Sequence, residues 1–277
     1  MQTKRTIFTV IIVFFSVLTT HAQHSLTRIW STEATLPIPE SVLYNAQDKL
    51  LYVAQIDGKS GEKDGKGGIA KVGLDGKIIA QDWITGLNAP KGMGKIGNKL
   101  YVADVTDIVE IDSKTGKILK KYEVEGAKFL NDLTIDAKGN IYVSDSDTKK
   151  VHLLSDGKVS TYFEDLTRPN GLLSVGSDLL IADNGALKRL SGDKKITTIA
   201  EGMDKSTDGI EQVKPGEYIV SCWAGMVFYV KEDGTTEKLL DTSADQVNSA
   251  DIGYDSIKKI VYVPTFMKNS VVAYQLK

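Results

Sequence analysis

The stretch LNDLTIDAKGNIYVSD, residues 130–145, consists of two short apolar segments joined by a turn that contains Gly139. The same pattern recurs along the chain with a period of about 40 residues. In each copy a small or polar pair precedes an apolar segment, and a second segment ends in Tyr-Val-Ala-Asp or a related sequence. The six copies begin at Pro39, Pro90, Leu130, Pro169, Thr207 and Ser249, and the last is the least regular.

Each copy continues with a third apolar segment and, in most cases, a fourth after a turn, as in SDGKVSTYF from Ser155. Four short strands per unit, joined by turn dipeptides, are typical of a propeller blade. The sequence therefore predicts an all-β, six-bladed β-propeller that forms one domain over residues 24–277. We expect residues 24–36 to supply the outer strand that the last blade lacks, which would protect a sheet edge. A β-sandwich would not explain the fixed period.

Composition is that of an ordinary soluble globular protein, with 277 residues, 42% of them hydrophobic, and a formal net charge of -2. This balance gives no indication of nucleic-acid binding. The only cysteine is Cys222, so neither a disulfide within the chain nor a thiolate metal cluster is expected.

The N-terminus carries Lys4 and Arg5 ahead of an apolar run from Ile7 to Leu18, followed by small and polar residues up to Ala22. This arrangement is typical of a secretory signal peptide over residues 1–22. The apolar run is shorter than the ~20 residues that span a bilayer. The sequence therefore predicts a secreted or periplasmic protein with no membrane anchor after cleavage.

In a propeller, the residue at the start of each innermost strand faces the mouth of the central channel. The equivalent residues of the six blades, called here the ring residues, are Glu40, Lys91, Asn131, Asn170, Asp208 and Ala250. Two carboxylates and two carboxamides supply hard oxygen ligands suited to calcium or a similar divalent cation. The alternative is that these side chains only hydrate a wet channel, and Asn170 before Gly171 also fits a simple turn.

The segments around these residues resemble the senescence-marker-protein/gluconolactonase/luciferin-regenerating-enzyme family of six-bladed propellers. The resemblance covers essentially the whole chain after the signal peptide, and its matching segments are PES at Glu40, LND at Asn131, RPNGL at Asn170 and TDGI at Asp208. It implies that Glu40, Asn170 and Asp208 bind one divalent metal and that Asn131 lies beside the substrate or the metal. Calcium is the expected ion, with zinc, manganese or magnesium as alternatives. The implied substrate is a lactone or sugar-acid derivative.

The chemistry expected of such a site is hydrolysis of a lactone or related cyclic ester. A divalent cation polarises the carbonyl, and an adjacent carboxylate accepts a proton from the attacking water. Asp208 is the predicted catalytic base. His152 falls in a third strand, where we expect it to pack on a blade. Serine-hydrolase, P-loop and zinc-protease motifs are absent from the sequence.

Two residues depart from the family pattern. Phe129 stands where family lactonases often carry an arginine, and it cannot pair with a substrate carboxylate. Lys91 stands in the ring beside the expected cation, where it binds an anionic substrate group, lowers the metal affinity through like-charge repulsion, or extends into solvent. Lys91, Phe129, Asn131 and Trp223 are the predicted substrate contacts. The strand endings also resemble NHL-type propellers, so a non-enzymatic propeller that binds a ligand or a protein partner is the alternative function.

Loops between second and third strands should emerge on the face that carries the ring. The loop Asp57–Gly68 lacks the ligand pattern of an EF-hand, and we expect it to form a lid near Glu40. Five further residues should surround the mouth: Asp104, Asp145, Asp183, Trp223 and Phe266. The three aspartates are expected to cap turns.

Overall fold

The computed structural model describes residues 24–277, and the predicted signal peptide lies outside these residues. Twenty-four strands form six antiparallel sheets of four strands each, which confirms the predicted all-β, six-bladed propeller. Within residues 24–277, no helix is long and apolar enough to cross a membrane.

The strands follow the sequence repeat blade by blade. The chain starts with β1 (Leu26–Ser31). The first blade contains β2 (Pro39–Asn45), β3 (Leu50–Gln55), β4 (Gly67–Gly73) and β5 (Ile78–Leu87). The second contains β6 (Pro90–Ile96), β7 (Lys99–Asp104), β8 (Asp107–Asp112) and β9 (Ile118–Glu123). The third contains β10 (Leu130–Ile135), β11 (Ile141–Asp145), β12 (Lys150–Ser155) and β13 (Lys158–Phe163).

The remaining blades repeat this order. The fourth contains β14 (Pro169–Val175), β15 (Asp178–Asp183), β16 (Ala186–Leu190) and β17 (Ile196–Ala200). The fifth contains β18 (Thr207–Lys214), β19 (Glu217–Cys222), β20 (Met226–Lys231) and β21 (Thr236–Asp241). The sixth contains β22 (Gly253–Asp255), β23 (Ile260–Pro264) and β24 (Val271–Leu276). Two short 3-10 helices span Ser243–Asp245 and Phe266–Lys268.

The N-terminal strand closes the propeller as predicted. β1 pairs antiparallel with β24, so the sixth sheet has the order β1-β24-β23-β22. The pairing runs from Leu26 opposite Leu276 to Ser31 opposite Val272. Because the last blade takes its outer strand from the start of the chain, the two ends of the domain hold each other in place.

Alternating side chains on the second strands bind each blade to both of its neighbours. In β7, Leu100 and Val102 belong to an apolar cluster shared with Tyr52 of the first blade. Tyr101 and Ala103, on the other face, pack in a cluster of the third blade. Both faces of these strands are covered, so their sequences read as continuous apolar runs. Burial of each large apolar side chain contributes roughly 1.5–3 kcal/mol.

The innermost strands carry a local irregularity at the ring residues. In the first five blades, the register between the innermost and second strands shifts at or beside the ring residue. Such a bulge bends the strand and redirects a side chain. Next to the ring residue Asn170, a Cβ on Gly171 would lie 1.9 Å from the carbonyl oxygen of Asp208. Only glycine permits neighbouring innermost strands to approach this closely.

Candidate functional site

A cavity of about 430 Å³ opens at the mouth of the central channel. Its floor contains five of the six ring residues, namely Glu40, Lys91, Asn131, Asn170 and Asp208. Ala250 does not line it. Its wall includes Phe129, Arg168, Lys205, Trp223 and Phe266. The structure thus brings every residue of the predicted metal, catalytic and substrate-contact sets into one cavity.

Three oxygens on the floor of this cavity are buried and have no hydrogen-bond partner. They are Oε2 of Glu40, Oδ1 of Asn170 and Oδ1 of Asp208. A buried polar atom without a partner costs about 1–3 kcal/mol, and more when it is charged. The same three residues form the metal-ligand set that the resemblance implies. A cation bound between them would satisfy all three oxygens, so the residues fit a metal.

The electrostatics of the cavity floor also favour a bound cation. Burial raises the pKa of Glu40 well above its usual range, and repulsion by Asp208 and Asp251 raises it further, against a lowering by the Lys91 ammonium. Burial, followed by repulsion from Asp251 and Asp132, likewise raises the pKa of Asp208, against a smaller lowering by the Asn170 amide. The pKa of both carboxyls stays raised although Lys91 lies near Glu40, and a bound divalent cation would favour their ionised form.

The donor set is unusual in its make-up. Among residues 24–277, no group of three or more histidine, cysteine, aspartate and glutamate side chains is arranged to hold a metal. The floor instead offers two carboxylates and one carboxamide. Oxygen-only donors suit calcium or magnesium better than zinc, which prefers nitrogen and sulfur. Three protein ligands would leave coordination positions for water or substrate.

Asn131 is fixed in place by the neighbouring blade. Its side-chain nitrogen donates to Oγ of Ser146 at 3.0 Å, and that hydroxyl donates to the carbonyl of Pro169 at 2.6 Å. The nitrogen is therefore engaged, and the carbonyl oxygen of Asn131 is the atom left to meet a substrate or a cation.

Lys91 does not extend into solvent, since only 1% of its surface is exposed. Its ammonium donates to the carbonyl of Ala89 at 2.9 Å and lies 4.5 Å from the centroid of the Phe129 ring. Burial lowers the pKa of Lys91, an effect opposed by Glu40 and Asp104. The ammonium retains N–H groups that can face a ligand in the cavity.

Aromatic side chains form one wall of the cavity. Trp223 and Phe266 meet edge to face, with ring centroids 5.4 Å apart. Trp223 is 39% exposed, so part of its ring is open to a ligand. Ser60, from the loop that follows β3, also lines the cavity, which places this loop over the site. The loop is shorter than predicted, because Gly67 and Gly68 already belong to β4. Its opening and closing as a lid stays a prediction.

The three strand-ending aspartates do not line the cavity, and their hydrogen bonds are those of turn caps. Each accepts hydrogen bonds from backbone amides of the loop that leads into the innermost strand of its own blade. Asp104 receives those of Asn88 and Ala89, Asp145 those of Lys128 and Phe129, and Asp183 those of Thr167 and Arg168. These caps fix the residue that stands two positions before the ring residue.

His152 lies away from this site. It sits in β12 and lines a separate cavity of about 470 Å³ next to residues of β9 and β13. The sequence reasoning missed Arg168 and Lys205, which both line the central cavity. A usable signal existed for Arg168, because it stands two residues before Asn170, as Phe129 stands two before Asn131.

Comparison with known proteins identifies relatives in fold only. A streptogramin B lyase superposes with a TM-score of 0.68 at 13% identity, covering 92% of this chain and 98% of the other. A virginiamycin B lyase from Staphylococcus aureus gives 0.67 at 14% identity, covering 92% and 100%. A candidate gluconolactonase gives 0.67 at 16% identity, covering 93% of both chains.

The propeller fold is shared with all three. At these identities the likeness extends to the fold and not to the reaction. No protein-family profile and no curated protein matches the sequence.

Proposed function

We propose that the protein is a divalent-metal-dependent hydrolase of a lactone or related cyclic ester, with calcium as the expected ion. The observation that carries this proposal is the set of three unpartnered oxygens, from Glu40, Asn170 and Asp208, at the floor of one cavity. The reaction class is taken from the resemblance of the segments at Glu40, Asn131, Asn170 and Asp208 to the gluconolactonase-like family, and a candidate gluconolactonase shares the propeller fold.

The chain's own residues have distinct roles in this proposal. When bound, the cation would polarise the lactone carbonyl. Glu40 and Asn170 would hold the cation, while Asp208 would both hold it and accept a proton from the attacking water. Asn131 orients the substrate through its free carbonyl oxygen. The aromatic pair of Trp223 and Phe266 packs against the apolar part of the substrate.

A propeller that binds a ligand without catalysis is the second candidate. Within the described part of the chain, Glu40 and Asp208 are the only carboxylates that line the cavity, and both belong to the metal set. A metal-bound carboxylate has a lowered pKa and is a weak base. This lack of a separate base favours binding over turnover.

We also propose that the protein acts outside the cytoplasm, since residues 1–22 have the pattern of a signal peptide. Its partner would be a small molecule, because the cavity of about 430 Å³ has the size of a small-ligand site.

The test is a panel of lactones given to metal-stripped protein, with calcium, magnesium, manganese or zinc added back and acid release followed. Asp208→Ala is run in parallel, and the exposed turn variant Asp193→Asn serves as control. Metal-dependent turnover that is lost only in Asp208→Ala supports the hydrolase. Folded, metal-bound protein that opens no lactone would favour the binding propeller.

Running the active reaction in heavy-oxygen water separates hydrolysis from elimination. A hydrolase places one solvent oxygen in the product, whereas a lyase places none. This control matters because two of the fold relatives are lyases by name.

A further inference from the structure

The repeat gives Phe129 and Arg168 equivalent positions in neighbouring blades. Each stands two residues before its ring residue, and each lines the cavity. Asp145 accepts the backbone amide of Phe129 at 3.2 Å, and Asp183 accepts that of Arg168 at 2.6 Å. The backbone of Arg168 is therefore held at the rim by a buried carboxylate, and the side chain starts from a fixed point.

The guanidinium of Arg168 is not committed to another group. Within residues 24–277, its one ion pair is with Asp147 at 3.9 Å, and its side chain is 60% exposed. A surface ion pair of this length contributes little free energy. The planar fork of N–H donors on Arg168 is therefore available to a ligand at the mouth of the cavity.

Two further cations share the cavity with Arg168. Lys205 is exposed on the rim, three residues before Asp208, and Lys91 is buried in the floor. The whole chain is slightly acidic, with a formal net charge of -2, so this concentration of positive charge is local. If a divalent cation neutralises Glu40 and Asp208, the three basic side chains leave the cavity with an excess of positive charge.

We propose that Arg168 and Lys205 form an anion subsite on the rim of the cavity, and that the ligand is a small molecule bearing a carboxylate beside its ester or lactone group. The fork of Arg168 matches the two oxygens of a carboxylate. Lys205 adds a second, less directional charge. This inference rests on the proposed hydrolase for the reaction and on the bound cation for the charge balance of the cavity, whereas the binding of the anion does not require turnover.

The kinetic test compares a carboxylate-bearing lactone with its neutral methyl ester in Arg168→Gln. Lys128→Gln is the matched control, because Lys128 is an exposed cation at the equivalent loop in the third blade but does not line the cavity. We expect kcat/KM for the acid to fall about 10-fold or more in Arg168→Gln. The ester should be unaffected, and Lys205→Gln should cause a smaller loss for the acid. Equal effects on acid and ester, or equal effects of Arg168→Gln and Lys128→Gln, would overturn the subsite.

A binding test separates failure of the subsite from failure of the hydrolase. The chemically ring-opened hydroxy acid is titrated into metal-loaded protein, with tryptophan fluorescence as the readout because Trp223 lines the cavity. Binding that weakens about 10-fold in Arg168→Gln supports the subsite even if no lactone is opened. Binding that is equally strong in Arg168→Gln and in the control Lys128→Gln overturns the subsite. Inorganic phosphate and acetate are added as competitors in separate titrations. Stronger competition by phosphate than by acetate would overturn the carboxylate assignment.

Discussion

The hydroxyl of Ser41 donates a hydrogen bond to the carboxylate of Asp251 at 2.5 Å, and this bond joins the first blade to the last. Beside it, the amide of Asp251 donates to the carbonyl of Glu40 at 2.9 Å, and the amide of Val42 donates to the carbonyl of Asp251 at 3.1 Å. The backbone of Glu40 is thus held by the sixth blade. Closure of the propeller and the position of a proposed metal ligand depend on the same contact.

Stability of the metal-stripped protein should fall as the pH rises. Burial raises the pKa of Asp251 to about 7. Burial, followed by repulsion from Asp251, raises that of Glu211 to about 8. Unfolded, these groups titrate near about 4. At a pH between the unfolded and the folded pKa values, the folded state keeps protons that the unfolded state has lost. The stabilisation that these two carboxyl groups contribute is therefore complete below about pH 4 and is lost as the pH rises through about 7–8.

Asp251→Asn tests this pH dependence. The amide oxygen can still accept the hydrogen bond from Ser41 but carries no charge, so we expect a flatter profile and a higher Tm than the parent near about pH 8. Glu211→Gln should act in the same direction. The measurement is thermal unfolding in chelator across the pH range. A parent protein whose Tm does not change between about pH 5 and 8 would contradict the prediction.

Glu40→Gln and Asp208→Asn should abolish stabilisation by calcium. A bound ion at about 100 times its Kd adds about 2.7 kcal/mol to the free energy of unfolding. Without metal, the variants should be at least as stable as the parent, because a neutral amide avoids the cost of burying a charge. Melting curves with chelator or calcium measure both effects. Asp193→Asn should respond to calcium as the parent does. If Glu40→Gln kept the full stabilisation by calcium, Glu40 would not be a ligand of the metal.

Gly171→Ala should damage both the fold and the site. The added methyl would lie 1.9 Å from the carbonyl oxygen of Asp208, so the fourth and fifth blades would have to separate. Overpacking of this kind costs about 1–3 kcal/mol. Denaturant unfolding should show that loss, and calcium titration should show weaker binding. Gly192→Ala, whose Cβ would meet Ser177 no closer than 3.4 Å, is the control and should change neither.

Much of the fold was predictable because its determinants are local. The alternation in segments such as residues 130–145 specifies strands, and the period specifies six blades. The column of ring residues followed from the symmetry of a propeller. Their metal-binding and catalytic roles stay predictions, although the structure gathers them in one cavity.

Other features depend on contacts between residues distant in sequence. The rim position of Arg168 is set by Asp183, fifteen residues further along the chain, through the bond to its amide. The burial of Lys91 against the Phe129 ring depends on the meeting of two blades. Asp251 and Asp132, which raise the pKa of Asp208, meet only when the blades surround a common axis. The amino-acid pattern within one repeat does not specify such relationships.

Removal of residues 24–31 should open the propeller. The deletion takes away β1 and leaves β24 as an unpaired edge, although Val271 and Ala273 in that strand are fully buried. It also removes the hydrogen bond from Trp30 to the carbonyl of Leu74 at 3.1 Å. We expect a lower Tm and association between chains through the free edge of β24. Scanning calorimetry and light scattering measure the two effects. A protein lacking only residues 1–22 is the control, and a synthetic peptide of residues 24–36 should restore the Tm of the shortened chain. Unchanged melting and a monomeric shortened chain would show that β1 does not hold the ring closed.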